Sequence, residues 1–176
     1  MKALVISDSH GSLDLVEEAG RRALAAGATL ALHLGDDLED AGPLRRLGLE
    51  VQGVQGVYHP DYQRPEPPNR LLVRLEEVPL LLTHSRLPHP HDRPDDADPA
   101  KLASRLGVRA VLFGHTHVPA IEDEQGVLWI NPGHLRPADK RGWPPTLALL
   151  TATGDRLQVQ IEELHTGRIV FFWPRP

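Results

Sequence analysis

Apolar residues are distributed along the chain in short blocks rather than long stripes, and polar loops punctuate them. Lys2 to Ile6 is a compact aliphatic run that stops at Ser7-Asp8-Ser9-His10-Gly11, which reads as a buried strand entering a polar loop. The pattern then changes period. Leu13, Val16, Ala19, Ala23 and Leu24 recur near 3.6 residues, with Ser12 placed to cap a helix and Gly27 to end it at about Ala26. Thr29 to Leu34 is a second buried strand ending in Gly35-Asp36-Asp37. A short helix around Pro43 to Leu47 leads to a third, from about Glu50 to Gln55. A β-α-β-α-β opening predicts a parallel sheet, whose functional groups gather beyond the carboxyl ends of its strands. Asp8 and Asp36 both stand there.

From Gly56 to Asn69 the prolines at 60, 65, 67 and 68 predict a loop. Leu71 to Leu75 and Pro79 to Thr83 then form an antiparallel pair turning through Glu76-Glu77, with His84 closing the second strand. Pro88 to Asp98 is another loop. Asp98-Pro99 has the form of an N-cap followed by proline at the first helical position, predicting a helix to about Leu106. Arg109 to Phe113 is a buried strand that ends in Gly114-His115-Thr116-His117. Beyond it only strands are expected: a hairpin over Ala120 to Ile130 turning near Gln125-Gly126, then Thr146 to Leu150, Leu157 to Ile161 and Arg168 to Phe172. The expected architecture is a single domain over residues 1–176, α/β in class, with two sheets face to face and helices outside.

Composition narrows the chemistry. The chain has 176 residues, 40% hydrophobic and 24% charged, the balance of a globular protein. It contains no cysteine, which excludes disulfides, thiolate metal sites and a cysteine nucleophile. Nineteen basic against 24 acidic residues give a net charge of −5, which argues against a protein built to coat nucleic acid. No apolar run reaches the length of a membrane span, so a cytoplasmic location is expected. Ten histidines are the compositional anomaly, and five of them lie in loops at strand ends or beside them: His10, His59, His84, His115 and His117.

Carboxylate oxygens and imidazole nitrogens suit borderline divalent ions such as Mn²⁺, Fe²⁺, Ni²⁺ and Zn²⁺. Asp8 and His10 follow the first strand, Asp36 the second, His84 a later one, and His115 and His117 the next. Singly, each has an ordinary explanation: a turn, a packed imidazole, a solvated loop. Together, their order and placement predict a shared metal site.

In this order of motifs the chain resembles the calcineurin-like metallophosphoesterases, in particular the small bacterial and archaeal phosphodiesterases of the YfcE type. The resemblance runs from Asp8-Ser9-His10 through Gly35-Asp36, Thr83-His84 and Gly114-His115-Thr116-His117 to Asn131-Pro132-Gly133. It implies a four-layer α/β/β/α sandwich of two mixed sheets and two divalent metal ions. Asp8, His10, Asp36 and His117 would hold one ion, and Asp36 would bridge to a second held by His84 and His115. It implies hydrolysis of a small phosphodiester by a metal-activated hydroxide.

The third motif departs from the family pattern. Gly53-Val54-Gln55-Gly56-Val57-Tyr58-His59 puts Val57 where the family has a metal-binding Asn, and Tyr58 where many members carry a histidine thought to assist the leaving group. An isopropyl group donates no electron pair, so the second site is expected to be weakened, with three repairs open: His59 as replacement ligand, water in the vacancy, or one tight ion only. His59 and Tyr58 are also candidate acids for the leaving group. His89 and His91, flanking Pro90, read as solvated loop residues, and His33 as a packing or supporting residue. Ser85 and His134 are milder departures. The alternative function is a weakly active or inactive member serving as a protein-interaction module, as the retromer subunit of the same fold does. The expected partner is a small phosphoester, with no membrane and no long nucleic acid; the sequence leaves the oligomeric state open.

Overall fold

The structure is a computed structural model that describes residues 1–174. Among the described residues, eleven strands form two mixed sheets. The first is ordered β11 (Ile169–Trp173), β10 (Arg156–Glu163), β9 (Thr146–Thr153), β1 (Lys2–Ile6), β2 (Leu30–His33), β3 (Glu50–Gly53). The second is β4 (Arg70–Leu75), β5 (Val78–Thr83), β6 (Ala110–Leu112), β8 (Val127–Asn131), β7 (Ala120–Glu124). Strands β1, β2 and β3 run parallel, as do β5, β6 and β8. The opening β-α-β-α-β reading therefore holds, and the two predicted hairpins are antiparallel through Glu76-Glu77 and Gln125-Gly126.

Alternation of side chains across each strand builds the layers. Ala3 and Val5 of β1, Leu30 and Leu32 of β2, and Ala148 and Leu150 of β9 enter the core between the sheets. There they meet Leu80 and Leu82 of β5, Leu112 of β6 and Ile130 of β8. The intervening residues face outward. Leu4, Ile6, Ala31 and Leu149 pack under helix α1 (Leu13–Ala25) and the short α2 (Gly42–Arg46). Leu81, Val111 and Trp129 pack under α3 (Pro99–Leu106) through Ala103. This is the α/β/β/α sandwich that the resemblance implied.

The helix ends follow the sequence unevenly. Asp98 caps α3 as expected: its Oδ1 accepts from the backbone N–H of Ala100 at 2.9 Å and of Lys101 at 3.3 Å. Gly107 ends it in the left-handed region at φ +61°, which a glycine adopts without steric cost. Ser12 precedes α1 but its hydroxyl makes no capping bond, because ψ of 62° takes it out of the extended geometry from which a cap reaches the first turn. Leu13 and Leu24 are exposed, so the buried stripe of α1 is Val16, Ala19, Gly20 and Ala23. Its narrowness lets Leu44 and Leu47 of the α2 region approach the backbone at Gly20.

With the parallel strands of both sheets ending on one side, the loops after β1, β2, β5 and β6 converge at one rim. Cross-bonds between them, Asp8 N–H to the Gly35 carbonyl at 2.8 Å and Gly114 N–H to the His84 carbonyl at 2.9 Å, lock pairs of loops together.

Candidate metal centre

Asp8, His10, Asp36 and His117 each present one ligand-type atom, and these atoms lie within 4.8 Å of one another. His10 Nε2 is 2.7 Å from Asp36 Oδ2, His117 Nε2 is 3.3 Å from Asp8 Oδ1, and the two Nε2 atoms are 3.2 Å apart. Three strand-end loops supply these groups, and the backbone bends sharply to aim them. Asp8, His10, His115 and His117 all have positive φ, between 46° and 67°. Asp and His tolerate this region better than branched residues, yet four such positions in two loops store strain where a site needs fixed side chains.

The donor set fits a divalent cation. Asp8 Oδ1 and His84 Nε2 are buried and have no hydrogen-bond partner. Isolated buried polar atoms of this kind are costly, and metal coordination satisfies them. Nδ1 of His84 contacts the Leu34 carbonyl at 2.7 Å and must donate its proton there. Nε2 is thereby left to face Asp36 Oδ1 at 3.1 Å, off the line of a hydrogen bond. Burial pulls the His84 pKa down, but Asp36 and Asp8 more than offset it and the net shift is upward. Burial likewise opposes ionisation of Asp36, yet the flanking His10 and His84 hold its carboxyl well below the usual carboxylate range. The rim is a site that draws positive charge.

His117 carries a support that the sequence gave no sign of. Asp139, in the loop before β9, accepts from His117 Nδ1 at 2.7 Å, which turns Nε2 toward Asp8 and His10. Asp8 first, then Asp139, push the His117 pKa up to about 9 against the effect of burial. An ion bound at neutral pH must therefore displace a proton from this ring. Asp139→Asn keeps the shape and removes the acceptor charge. Loss of such a supporting carboxylate is expected to weaken Mn²⁺ affinity about 10- to 100-fold, read by calorimetric titration. An unchanged affinity would refute the role.

His33 is wholly buried and serves as a strut, matching its reading as a supporting residue. The Gly35 N–H donates to its Nδ1 at 3.2 Å, so Nε2 carries the proton and donates to Ser9 Oγ at 3.3 Å. Ser9 in turn donates to Asp40 Oδ2 at 2.8 Å, which also takes the Gly11 N–H at 2.7 Å. One imidazole thus ties the loop of Asp8 and His10 to the turn of Asp36. Burial lowers its pKa to about 4, although Asp40, Asp8 and Asp36 pull the other way. In the unfolded chain it titrates near 6.5, so between the two values the unfolded state binds the extra proton. Stability should be unaffected by this group above pH 6.5 and should fall by about 3 kcal/mol as pH drops toward 4. Urea denaturation of metal-free protein across that window tests it. His33→Asn should show a distinctly shallower decline, and parallel curves would contradict the assignment.

Of the remaining predicted residues, His84 and His115 lie side by side, with ring centroids 5.1 Å apart. The His115 N–H donates to Asp8 Oδ2 at 3.0 Å. Asn131 holds this loop from beneath, its Nδ2 donating to the Gly114 carbonyl and to Thr116 Oγ1, both at 2.9 Å. Val57 is 1% exposed and lies in the interior, offering only its carbonyl, which accepts from His91 Nδ1 at 2.9 Å. His59 is not one of the four clustered donors. Its Nε2 faces Asp37 Oδ1 at 3.8 Å and Glu39 Oε2 at 3.6 Å, and its Nδ1 accepts the Asp61 N–H. His89, read as a solvated loop residue, is partly exposed and stands beside the site, with its ring centroid 5.6 Å from that of His115.

Comparison with known proteins bears on the family and the fold. The sequence profile described as the calcineurin-like phosphoesterase superfamily domain matches residues 1–155. A protein named probable metallophosphoesterase from Methanothermobacter thermautotrophicus is 29% identical over 173 residues, covering 93% of this chain and 91% of its own. Among solved structures, the phosphoesterase YfcE of E. coli superposes with a TM-score of 0.71 at 23% identity, covering 98% of each chain. Vps29 of Entamoeba histolytica, solved in complex with Zn²⁺, superposes with a TM-score of 0.66 at 22% identity, covering 96% of each.

Proposed function

Because the chain belongs to the calcineurin-like phosphoesterase superfamily, we propose that it is a metal-dependent hydrolase of small phosphodiesters. The observation that carries this reading is the convergence of Asp8, His10, Asp36 and His117 within 4.8 Å. Mn²⁺, Fe²⁺, Ni²⁺ or Zn²⁺ matches the mixed carboxylate and imidazole donors. A second ion would be held by Asp36, His84 and His115, more weakly for want of a donor at Val57. Bound divalent ions acidify water to give a nucleophile at neutral pH and polarise a phosphoryl oxygen.

The chain's own groups do the rest. Asp36 turns one oxygen to His10 and the other to His84, the disposition of a carboxylate shared between two ions. Asp139 and the Leu34 carbonyl fix the tautomers of His117 and His84, so that each presents Nε2 to the rim. His59 is the proposed proton donor to the leaving group. In the neutral ring its Nδ1 accepts the Asp61 N–H and Nε2 carries the proton, so to act as an acid it must take up a second proton at Nδ1 and give up that backbone bond.

Assays on bis- and mono-p-nitrophenyl phosphate with Mn²⁺, Ni²⁺ or Zn²⁺ test the reading. Hydrolysis that a chelator abolishes and that His117→Ala lacks is the expected result. Stoichiometric metal binding without turnover of either ester would favour the alternative, an interaction module, which the buried Val57 makes the specific rival.

A further inference from the structure

Four rings stand together beside the metal centre: His115, a proposed ligand of the second ion, and Tyr58, His89 and His91, which the ligand set leaves unused. Tyr58 is 68% exposed. Its ring centroid lies 5.4 Å from that of His89, 5.3 Å from His91 and 6.0 Å from His115. His89 contacts His91 at 5.1 Å and His115 at 5.6 Å. His115 in turn meets His84, so the wall is continuous with the floor of the site.

The wall is built rather than incidental. It is made by two loops that are pinned to each other. His91 Nδ1 donates to the Val57 carbonyl at 2.9 Å, and the His91 N–H donates to His89 Nδ1 at 3.2 Å. Asp92 beneath them takes the His89 N–H and the Arg70 guanidinium, both at 2.8 Å, on one oxygen. The Tyr62 hydroxyl donates to its other oxygen at 2.5 Å. Two proline-rich loops are thus held as one rigid surface that keeps an exposed phenol ring beside the metal ligands. Tyr58 and His91 are the exposed members of the wall.

We propose that the exposed ring of Tyr58, flanked edge-on by His89 and His91, is a stacking platform for the planar alcohol portion of the phosphoester, a nucleoside or an aryl group. This rests on the phosphoesterase reading and specifies its substrate class. The Tyr58 ring centroid lies 6.0 Å from that of His115, so a ring stacked on Tyr58 stands next to a proposed metal ligand. Stacking of a base on an aromatic side chain is sequence-tolerant and strong enough to alter affinity about tenfold.

Calorimetric titration of the Mn²⁺-loaded protein with adenosine 5′-monophosphate, phenyl phosphate and ribose 5-phosphate tests the wall without requiring turnover. The adenosine nucleotide should bind about tenfold more tightly than ribose 5-phosphate. Tyr58→Phe should keep the preference and Tyr58→Leu should lose most of it; both substitutions are at an exposed position and leave the core intact. A matching advantage for phenyl phosphate extends the class to aryl esters, and its absence confines it to nucleosides. Equal affinities for the nucleotide and the sugar phosphate, no binding of either, or a preference untouched by Tyr58→Leu overturns the proposal. Failure of the hydrolase reading would show separately, as absent turnover with the nucleotide preference intact.

Discussion

Asp36→Asn should lower kcat/KM for bis-p-nitrophenyl phosphate by about a thousandfold, the equivalent of several kcal/mol of transition-state stabilisation. Asp36 lies between two imidazoles: Oδ2 is 2.7 Å from His10 Nε2 and Oδ1 is 3.1 Å from His84 Nε2. The amide keeps the volume but loses the negative charge that draws cations to the rim. It also points an NH₂ group, which has no lone pair to offer a metal, at one of the two sides. Bound metal per protein should fall in parallel, read by elemental analysis after dialysis. Activity within tenfold of the wild type, with unchanged metal content, would remove Asp36 from the centre of the account.

Gly56→Ala is the second substitution with a large expected effect, and it acts on the same residue from behind. A Cβ at position 56 would lie 2.5 Å from Asp36 Cα and 2.7 Å from Asp36 Oδ1. The Gly56 N–H also donates to the Asp36 carbonyl at 2.9 Å. Because the collision is with backbone, no rotamer relieves it: either the 56–59 loop or the Asp36 turn must move. A cost of about 3 kcal/mol is expected, a fall in melting temperature of roughly 10 °C, together with weakened metal binding. A melting temperature and metal affinity equal to those of the wild type would show that the close approach of these loops is not needed.

Both substitutions act at junctions between loops, and junctions are what the sequence encodes least directly. The strands were legible because each carries two alternating faces that must both be covered. Ala3 and Val5 face the opposing sheet, and Leu4 and Ile6 face α1. A run that is apolar on every position has no other stable home than the middle of a layered fold. The ligand-type residues were legible for a related reason. They follow such strands directly, so the position of the strand end limits where the side chain can be.

The supporting groups lie in segments without that constraint. Asp139 sits in the loop before β9, and Asp92 in the loop before α3. No periodicity fixes the direction of a side chain there, and each partner is more than 20 residues away: His117 for Asp139, and Tyr62 and Arg70 for Asp92. The same lack of constraint explains His59 and His89. Both belong to proline-rich loops, and sequence distance to the motifs favoured His59 as the residue nearest the vacancy at Val57. The fold instead sets His59 against Asp37 and Glu39 and brings His89 to His115. The order of the first sheet was equally hidden. That β1 pairs with β9, 145 residues downstream, depends on which strands cover each other and not on any local signal.

The central claim is that the side chains at this rim clasp a divalent ion. Anomalous diffraction from a crystal soaked in Mn²⁺ tests it most directly. The account predicts a peak about 2.0–2.3 Å from donor atoms of Asp8, His10, Asp36 and His117. A peak bound elsewhere, or none at this rim at saturating Mn²⁺, would contradict it.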